Sequence, residues 1–358
     1  MKFDKNKKNL IALAVFFALL SLGAKNTKQS DFEQINPSYF ETDVRKLIQI
    51  KRPEDITKKR GALIQYIWRK KGFPSLKLPD KVEERIEDKR YARLFESALK
   101  QIDKITVRME PGLESIAYHF IPKKCCNKLI VYHQGHRGDF AKGINTIGAC
   151  LEKGYSVIAF SMPLLGMNNK PTVYLERFGK FTLTKHEHLK LLQAPIKYFV
   201  EPITVALNYA EKFNYDEVHM LGISGGGWTT TIYAAVDTRI MQSFPVAGSY
   251  PIYLRSQSER DWGDFEQTLP AIYRIANYPE LYIMGSYGEA RKQIQILNQY
   301  DSCCFAGIKF RTYEKAVKDT VADLGKGEFR VFLDRSHKDH KISEKALSFM
   351  FAEIESKK

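Results

Sequence analysis

The rhythm of apolar and polar positions changes twice along the chain. A basic start, MKFDKNKK, runs into an unbroken apolar segment, LIALAVFFALLSLGA, and KNTKQSD restores polarity. From there to about residue 104, apolar residues recur at helical spacing. EDITKKRGALIQYIWRKKG predicts an amphipathic helix that stops at Gly72, Phe73 and Pro74, and DKVEERIEDKRYARLFESALKQI predicts a second. From Ile105 the pattern becomes one of strands separated by helices. KITVRME and SIAYHFIP flank Pro111 and Gly112 and predict a hairpin. KLIVYHQG then reads as a strand, FAKGINTIGACLEKG as a helix closed by Gly154, and YSVIAFSMP as a strand. PIKYFVEPITVALNYAEKF is helical with a kink expected at Pro202, DEVHMLGIS is a strand, GGGWTTTIYAAVDT a helix and IMQSFPVAG a strand. The strands KQIQILNQYD and EFRVFLD enclose the helix YEKAVKDTVADLG, and SEKALSFMFAEIES is a terminal helix.

Strands alternating with helices imply an α/β class with a mostly parallel central sheet covered by helices on both faces. Two segments break the alternation. Residues 164–193 are basic and irregular, and residues 250–291 have the composition of a cap. The expected organisation is a signal peptide or signal anchor over 1–24, a helical N-terminal extension over 25–104, and a main domain over 105–358 with inserts at 164–193 and 250–291. No internal repeat or low-complexity tract is present.

Charge and cysteine usage narrow the classes of function. The apolar segment near the start is shorter than the roughly 20 residues of a membrane span and suits a signal-peptide core, with Ser21, Leu22 and Gly23 as a small-residue cleavage region. Cleaved or retained as a membrane anchor, it places the body of the protein outside the cytoplasm. The formal net charge of +15 favours an anionic partner. Nucleic acid is not expected, because no Lys/Arg run is interleaved with aromatics and no Cys/His finger spacing occurs. The 5 cysteines include two adjacent pairs, Cys125/Cys126 and Cys303/Cys304. The first pair precedes a strand and the second follows one. A strand of about six residues spans about 20 Å, beyond a disulfide's Cα reach of about 6 Å, so no bridge between the pairs is expected. The cysteines after Asp301 are read as packing residues.

The chemistry concentrates in VHMLGISGGGWTTTIYAAV, where an apolar strand ends in Gly222-Ile223-Ser224-Gly225-Gly226 and a helix follows. A serine at the apex of a sharp strand-to-helix turn needs small residues two positions to either side, and this is the setting of a nucleophile. With GISGGG, the HQGHRGD loop after an earlier strand, and an acid and a histidine after the last two strands, the chain from Ile105 onward resembles the α/β-hydrolase superfamily. The resemblance implies a Ser, Asp/Glu, His order of catalytic groups. His340, directly before the terminal helix, takes the place of the histidine and is favoured over His337. Asp301, past the strand before it, takes the place of the acid, with Glu289 the alternative if ELYIMG is the strand. Asp334 and Asp339 lie too close in sequence to the histidine. The resemblance also implies an oxyanion hole made by the amides of Gly225 and His136, the latter from His133-Gln134-Gly135-His136, which departs from the multi-glycine form of that loop, and a bracing role for His133.

A metal site is not expected. His186-Glu187-His188 is an H-x-H pair and His133/His136 an H-x-x-H pair, but the first sits in the basic insert and H-E-x-x-H is absent. No cofactor is expected either. Lys170, Arg177, Lys180, Lys185, Arg255 and Arg260, with Trp262 and Phe265, fall in the two inserts and fit a small-molecule, glycan or lipid ester with an anionic portion. The expected function is therefore that of an exported or membrane-anchored serine hydrolase, foremost a carboxylic-ester hydrolase. A serine peptidase, an acyltransferase and a catalytically silent binding protein of the cell envelope are the alternatives.

Overall fold

The computed structural model describes residues 30–356 apart from Gln257. The expected signal segment lies outside them. Among the described residues no helix is long and apolar enough to cross a membrane.

Nine strands form one sheet. In chain order the strands are β1 (Lys81–Glu83), β2 (Leu99–Met109), β3 (Leu113–Pro122), β4 (Lys128–His133), β5 (Ser156–Phe160), β6 (Thr172–Leu175), β7 (Gly179–Thr182), β8 (Glu217–Ile223), β9 (Ile240–Val246), β10 (Lys292–Asn298) and β11 (Glu328–Asp334). The sheet order is β1-β2-β3-β5-β4-β8-β9-β10-β11, and β6 and β7 make a separate hairpin. The run from β5 to β11 is parallel, while β1, β2 and β3 pair antiparallel at one edge. The carboxyl ends of β4, β8, β10 and β11 therefore share one edge, where ligands of open α/β sheets bind.

Alternation along the strands divides the core into two layers. Leu129 and Val131 of β4 point to one cluster and Ile130 and Tyr132 to the other. The first layer is covered by the helices α1 (Pro53–Trp68), α3 (Lys197–Ala210), α4 (Gly225–Val236), α5 (Tyr278–Ser286) and α6 (Glu314–Asp323). The second is covered by α2 (Ile144–Glu152) and α7 (Glu344–Glu355). Helix α1 forms as its spacing predicts and is tied down by polar groups as well as by Ile56, Leu63 and Ile67. Arg60 Nε donates to the Ala235 carbonyl at 2.9 Å, and Lys59 Nζ sits 3.0 Å from Glu280 Oε2.

The structure departs from the sequence pattern in two places. The second expected N-terminal helix does not form. That stretch holds β1, short helical turns at Lys89–Tyr91 and Ala92–Glu96, and the start of β2 at Leu99. Pairing with β3 overrides the helical spacing, and Leu99 and Ile102 bury fully on the sheet. The charges serve this geometry: Asp103 Oδ1 accepts the Arg85 amide at 3.0 Å and Gln101 Nε2 at 2.7 Å. The second departure lies in the 250–291 segment. Its ELYIMG is neither strand nor cap but part of α5, a fully buried helix against the sheet-covering layer. A capping box starts it, with Asn277 Oδ1 accepting the Glu280 amide at 3.1 Å and Glu280 Oε2 accepting the Asn277 amide at 3.1 Å.

Candidate active site

Strand β8 ends at Ile223 and α4 begins at Gly225, so Ser224 carries the whole reversal. Its backbone sits at φ 58°, ψ −123°, a region that costs a side-chain-bearing residue about 1–3 kcal/mol. Neighbours over-determine it. The Ser224 amide donates to the Val246 carbonyl at 2.9 Å. A Cβ on Gly226 would stand 2.1 Å from the His133 carbonyl oxygen, and one on Gly135 would stand 2.6 Å from Ser224 Cβ. Only glycine permits that approach. The hydroxyls of Thr229, Thr230 and Thr231 bond back to the carbonyls of Gly225, Gly226 and Gly227, which satisfies three polar side chains inside a buried helix.

Asp301 follows β10 and His340 follows β11. The two meet, with His340 Nδ1 2.8 Å from Asp301 Oδ2, and both side chains are buried. Asp301 is held from several sides. Its Oδ1 accepts the Cys303 amide at 2.7 Å and the Cys304 amide at 3.3 Å, and its Oδ2 accepts Asn298 Nδ2 at 3.2 Å. His340 Nε2, the ring atom turned away from Asp301, is buried and has no hydrogen-bond partner among the described residues. Ser224 and His340 line one cavity of about 440 Å³ with Gln134, Gly135 and Arg137.

The alternatives are not brought to this cavity. Glu289 precedes β10 and so lies at the opposite edge of the sheet, where its 81% exposed side chain pairs with Lys326 at 2.6 Å. His337 sits 3.4 Å from Asp334. Asp334 itself accepts the hydroxyl of Ser343, the N-cap of α7, and so anchors the terminal helix.

The loop after β4 packs directly on the serine turn. His133 is buried, stacks on Phe160 and bonds to the Gln134 carbonyl at 2.8 Å; burial pushes it down to about 4. The amide of Gly225 is the first of α4 and has no carbonyl to meet within the helix. The His136 ring lies against Gly225, since a Cβ there would be 2.4 Å from His136 Cε1. His136 Nε2 in turn faces Glu266 Oε1 at 2.9 Å and Asp264 Oδ2 at 3.1 Å. Burial opposes a charge on His136, but the bond to Glu266 and the two carboxylates outweigh it and raise the imidazole above its ordinary value. His186, from the other insert, joins this group with Nδ1 3.5 Å from Asp264 Oδ2. The two inserts therefore meet at the strand ends beside Ser224.

Two further sequence readings change. Cys303 and Cys304 are joined by a vicinal disulfide rather than packed as free thiols, while Cys125 and Cys126 are free and exposed. No bridge links the two pairs. Arg255 is not a cationic lining residue: it is buried, with Nε donating to the Tyr250 carbonyl at 2.7 Å and Nη1 to the Trp262 carbonyl at 3.0 Å. Phe265 is core, whereas Trp262, Lys170, Arg177, Lys180, Lys185 and Arg260 are exposed. The four-residue His/carboxylate group had no motif to announce it.

No family model matches the chain, and no curated protein matches it. Among solved structures it is similar to an acetyl xylan esterase from Paenibacillus sp. R4, at 14% identity and TM-score 0.56, covering 90% of this chain and 99% of that one. It is also similar to acetyl xylan esterase 1 from Thermoanaerobacterium sp. JW/SL YS485, at 14% identity and TM-score 0.52, covering 90% and 99%. A third similar structure is the methylesterase BT1017, at 13% identity and TM-score 0.51, covering 91% of this chain and 68% of that one. At such identities the likeness speaks for the fold, and the chain has the α/β-hydrolase fold.

Proposed function

We propose that this α/β-hydrolase-fold chain is a serine hydrolase of carboxylic esters. One observation carries the reading: the Asp301–His340 pair, closed at 2.8 Å, opens onto the same cavity as a serine held at a strained strand-to-helix turn. In the proposed reaction Ser224 Oγ attacks the ester carbonyl and His340 Nε2 takes its proton. Asp301 fixes the ring through Nδ1 and stabilises the imidazolium. The oxyanion is received by the Gly225 amide and by the loop amide at His136. Collapse expels the alcohol, protonated by His340, and leaves an acyl-serine. A water deprotonated by His340 then frees the acid. The missing partner of His340 Nε2 accords with this role, because catalytic hydrogen bonds often tighten only once substrate is bound.

For substrate class, the reading is an acylated glycan or a small ester with an anionic part. The likeness to an acetyl xylan esterase and a methylesterase and the exposed lysines and arginines of the inserts support it. Export through the apolar N-terminal segment remains part of the reading. The test is hydrolysis of 4-nitrophenyl acetate and acetylated xylan by wild type and Ser224→Ala. The expected result is turnover in the wild type and a fall of about 10⁴-fold or more in the variant. Turnover of peptides alone would favour a peptidase, transfer to an added alcohol an acyltransferase, and no turnover of any ester by a folded wild type a silent binding protein.

A further inference from the structure

We infer that His136, His186, Asp264 and Glu266 form a binding site for one divalent metal ion of the zinc class. The site joins three separate segments: the loop after β4, the 164–193 insert and the 250–291 segment. Each residue offers one ligand atom, and all four atoms lie within 4.8 Å of one another. Zinc bonds of about 2.0–2.1 Å in a tetrahedron set ligand atoms about 3.3 Å apart. Three of the six pairs here stand at 2.9, 3.1 and 3.5 Å, and the others lie within 4.8 Å. Two imidazoles and two carboxylates are a donor set that suits this ion.

The hydrogen bonding of the cluster asks for a cation at its centre. His186 Nε2 stands 2.8 Å from the Pro163 carbonyl, so that nitrogen carries the proton. A neutral His186 then turns the lone pair of Nδ1 toward Asp264 Oδ2, an acceptor facing an acceptor. His136 Nε2 has a single proton to offer and two carboxylate oxygens within 3.1 Å. Glu266 is 0% exposed, and its Oε2 has no hydrogen-bond partner among the described residues. A buried carboxylate short of donors is costly, and a cation held by its other oxygen offsets the charge. The Pro163 carbonyl behind His186 is also the outer support that ligating histidines use to fix their tautomer. The two rings lie with centroids 5.1 Å apart, and Phe199 backs His186 at 5.4 Å.

Four protein ligands close a tetrahedral ion against water and substrate, so the ion would act as a clamp rather than a Lewis acid. It would pin both inserts to the loop that packs on Gly225. The inference does not rest on the Ser224 chemistry, since the cluster would hold the ion whether or not Ser224 is a nucleophile.

The experiment uses the full chain, stripped with a chelator, returned to buffer and titrated with Co²⁺. The expected result is the intense visible absorption of tetrahedral cobalt, saturating at one equivalent and erased by Zn²⁺. Asp264 is half-exposed, so Asp264→Asn should fold and weaken cobalt binding at least tenfold; His186→Gln should weaken it further. His340→Ala, which lies outside this cluster, should leave the spectrum unchanged. A folded wild type that shows only the pale spectrum of octahedral cobalt, or an affinity that Asp264→Asn leaves unchanged, would overturn the inference. Neither result touches the hydrolase reading, which stands or falls on Ser224.

Discussion

Two imidazole–carboxylate groups lie on the same edge of the sheet, at nearly the same distance, and they are built differently. His340 and Asp301 meet at 2.8 Å, His136 and Glu266 at 2.9 Å. Around Asp301 donors outnumber what one carboxylate needs from its histidine, with two backbone amides and an asparagine sharing the load. One atom is left over, the buried His340 Nε2, on a residue that lines the cavity. Around His136 the balance reverses: two carboxylates converge on one ring nitrogen, and Glu266 keeps an oxygen without a donor. Donor-rich surroundings poise a base for protons; acceptor-rich surroundings poise a site for a cation.

The largest effect that could break this comparison is on turnover. Asp301→Asn and His340→Ala should each lower ester hydrolysis by about 10⁴-fold, measured as kcat/KM, while His337→Ala and Glu289→Gln should change it less than about twofold. A reversal of that ranking would remove Asp301 and His340 from the proposed catalytic role.

The next effect is on stability in acid, and it sharpens the comparison by showing where activity profiles can be read. His119 and His219 are buried in the sheet, apart from both clusters, and burial pushes them down to about 3 and about 4. The unfolded chain protonates both near 6.5, whereas the folded chain does not. Stability is therefore fully present above about pH 6.5 and falls as the pH drops toward 4 and then 3, by on the order of several kcal/mol for the two together. Urea midpoints at pH 7, 5 and 4 check this, and His219→Gln should flatten part of the slope. Activity compared above pH 6.5 is free of this loss.

A smaller effect comes from the serine turn. Gly226→Ala places a Cβ 2.1 Å from a backbone oxygen and should cost about 3 kcal/mol of unfolding free energy, with m unchanged. The smallest concerns the inserts. Asp264→Asn should alter KM a few-fold and kcat less, because it loosens the His136 ring that packs on Gly225 and leaves the proposed reacting groups alone.

The meeting of Asp301 with His340, and of His340 with Ser224 at one cavity, was legible because each of the three follows a strand. Short apolar runs alternating with helical segments located β8, β10 and β11, and the residues after their carboxyl ends had to share an edge. The His136 cluster was not legible for the converse reason. Its members come from a loop and two irregular inserts, where no period ties sequence distance to spatial distance. The spacings that drew notice, His133/His136 and His186/His188, each supply one member, and the fold pairs those members with each other. Glu289 failed as an acid because ELYIMG, strand-like in composition, starts with a capping box, and Asn277 and Glu280 three residues apart were a readable sign of helix α5. In the N-terminal extension, charges at helical spacing concealed a strand because pairing with β3 outweighs local preference.

The central claim is that Ser224 is activated by the His340–Asp301 pair, and labelling with a fluorophosphonate probe tests it most directly. Wild type should label covalently at Ser224, and Ser224→Ala and His340→Ala should not, with all three folded by circular dichroism. A folded wild type that resists the probe, or a His340→Ala variant that labels as fast as wild type, would contradict it.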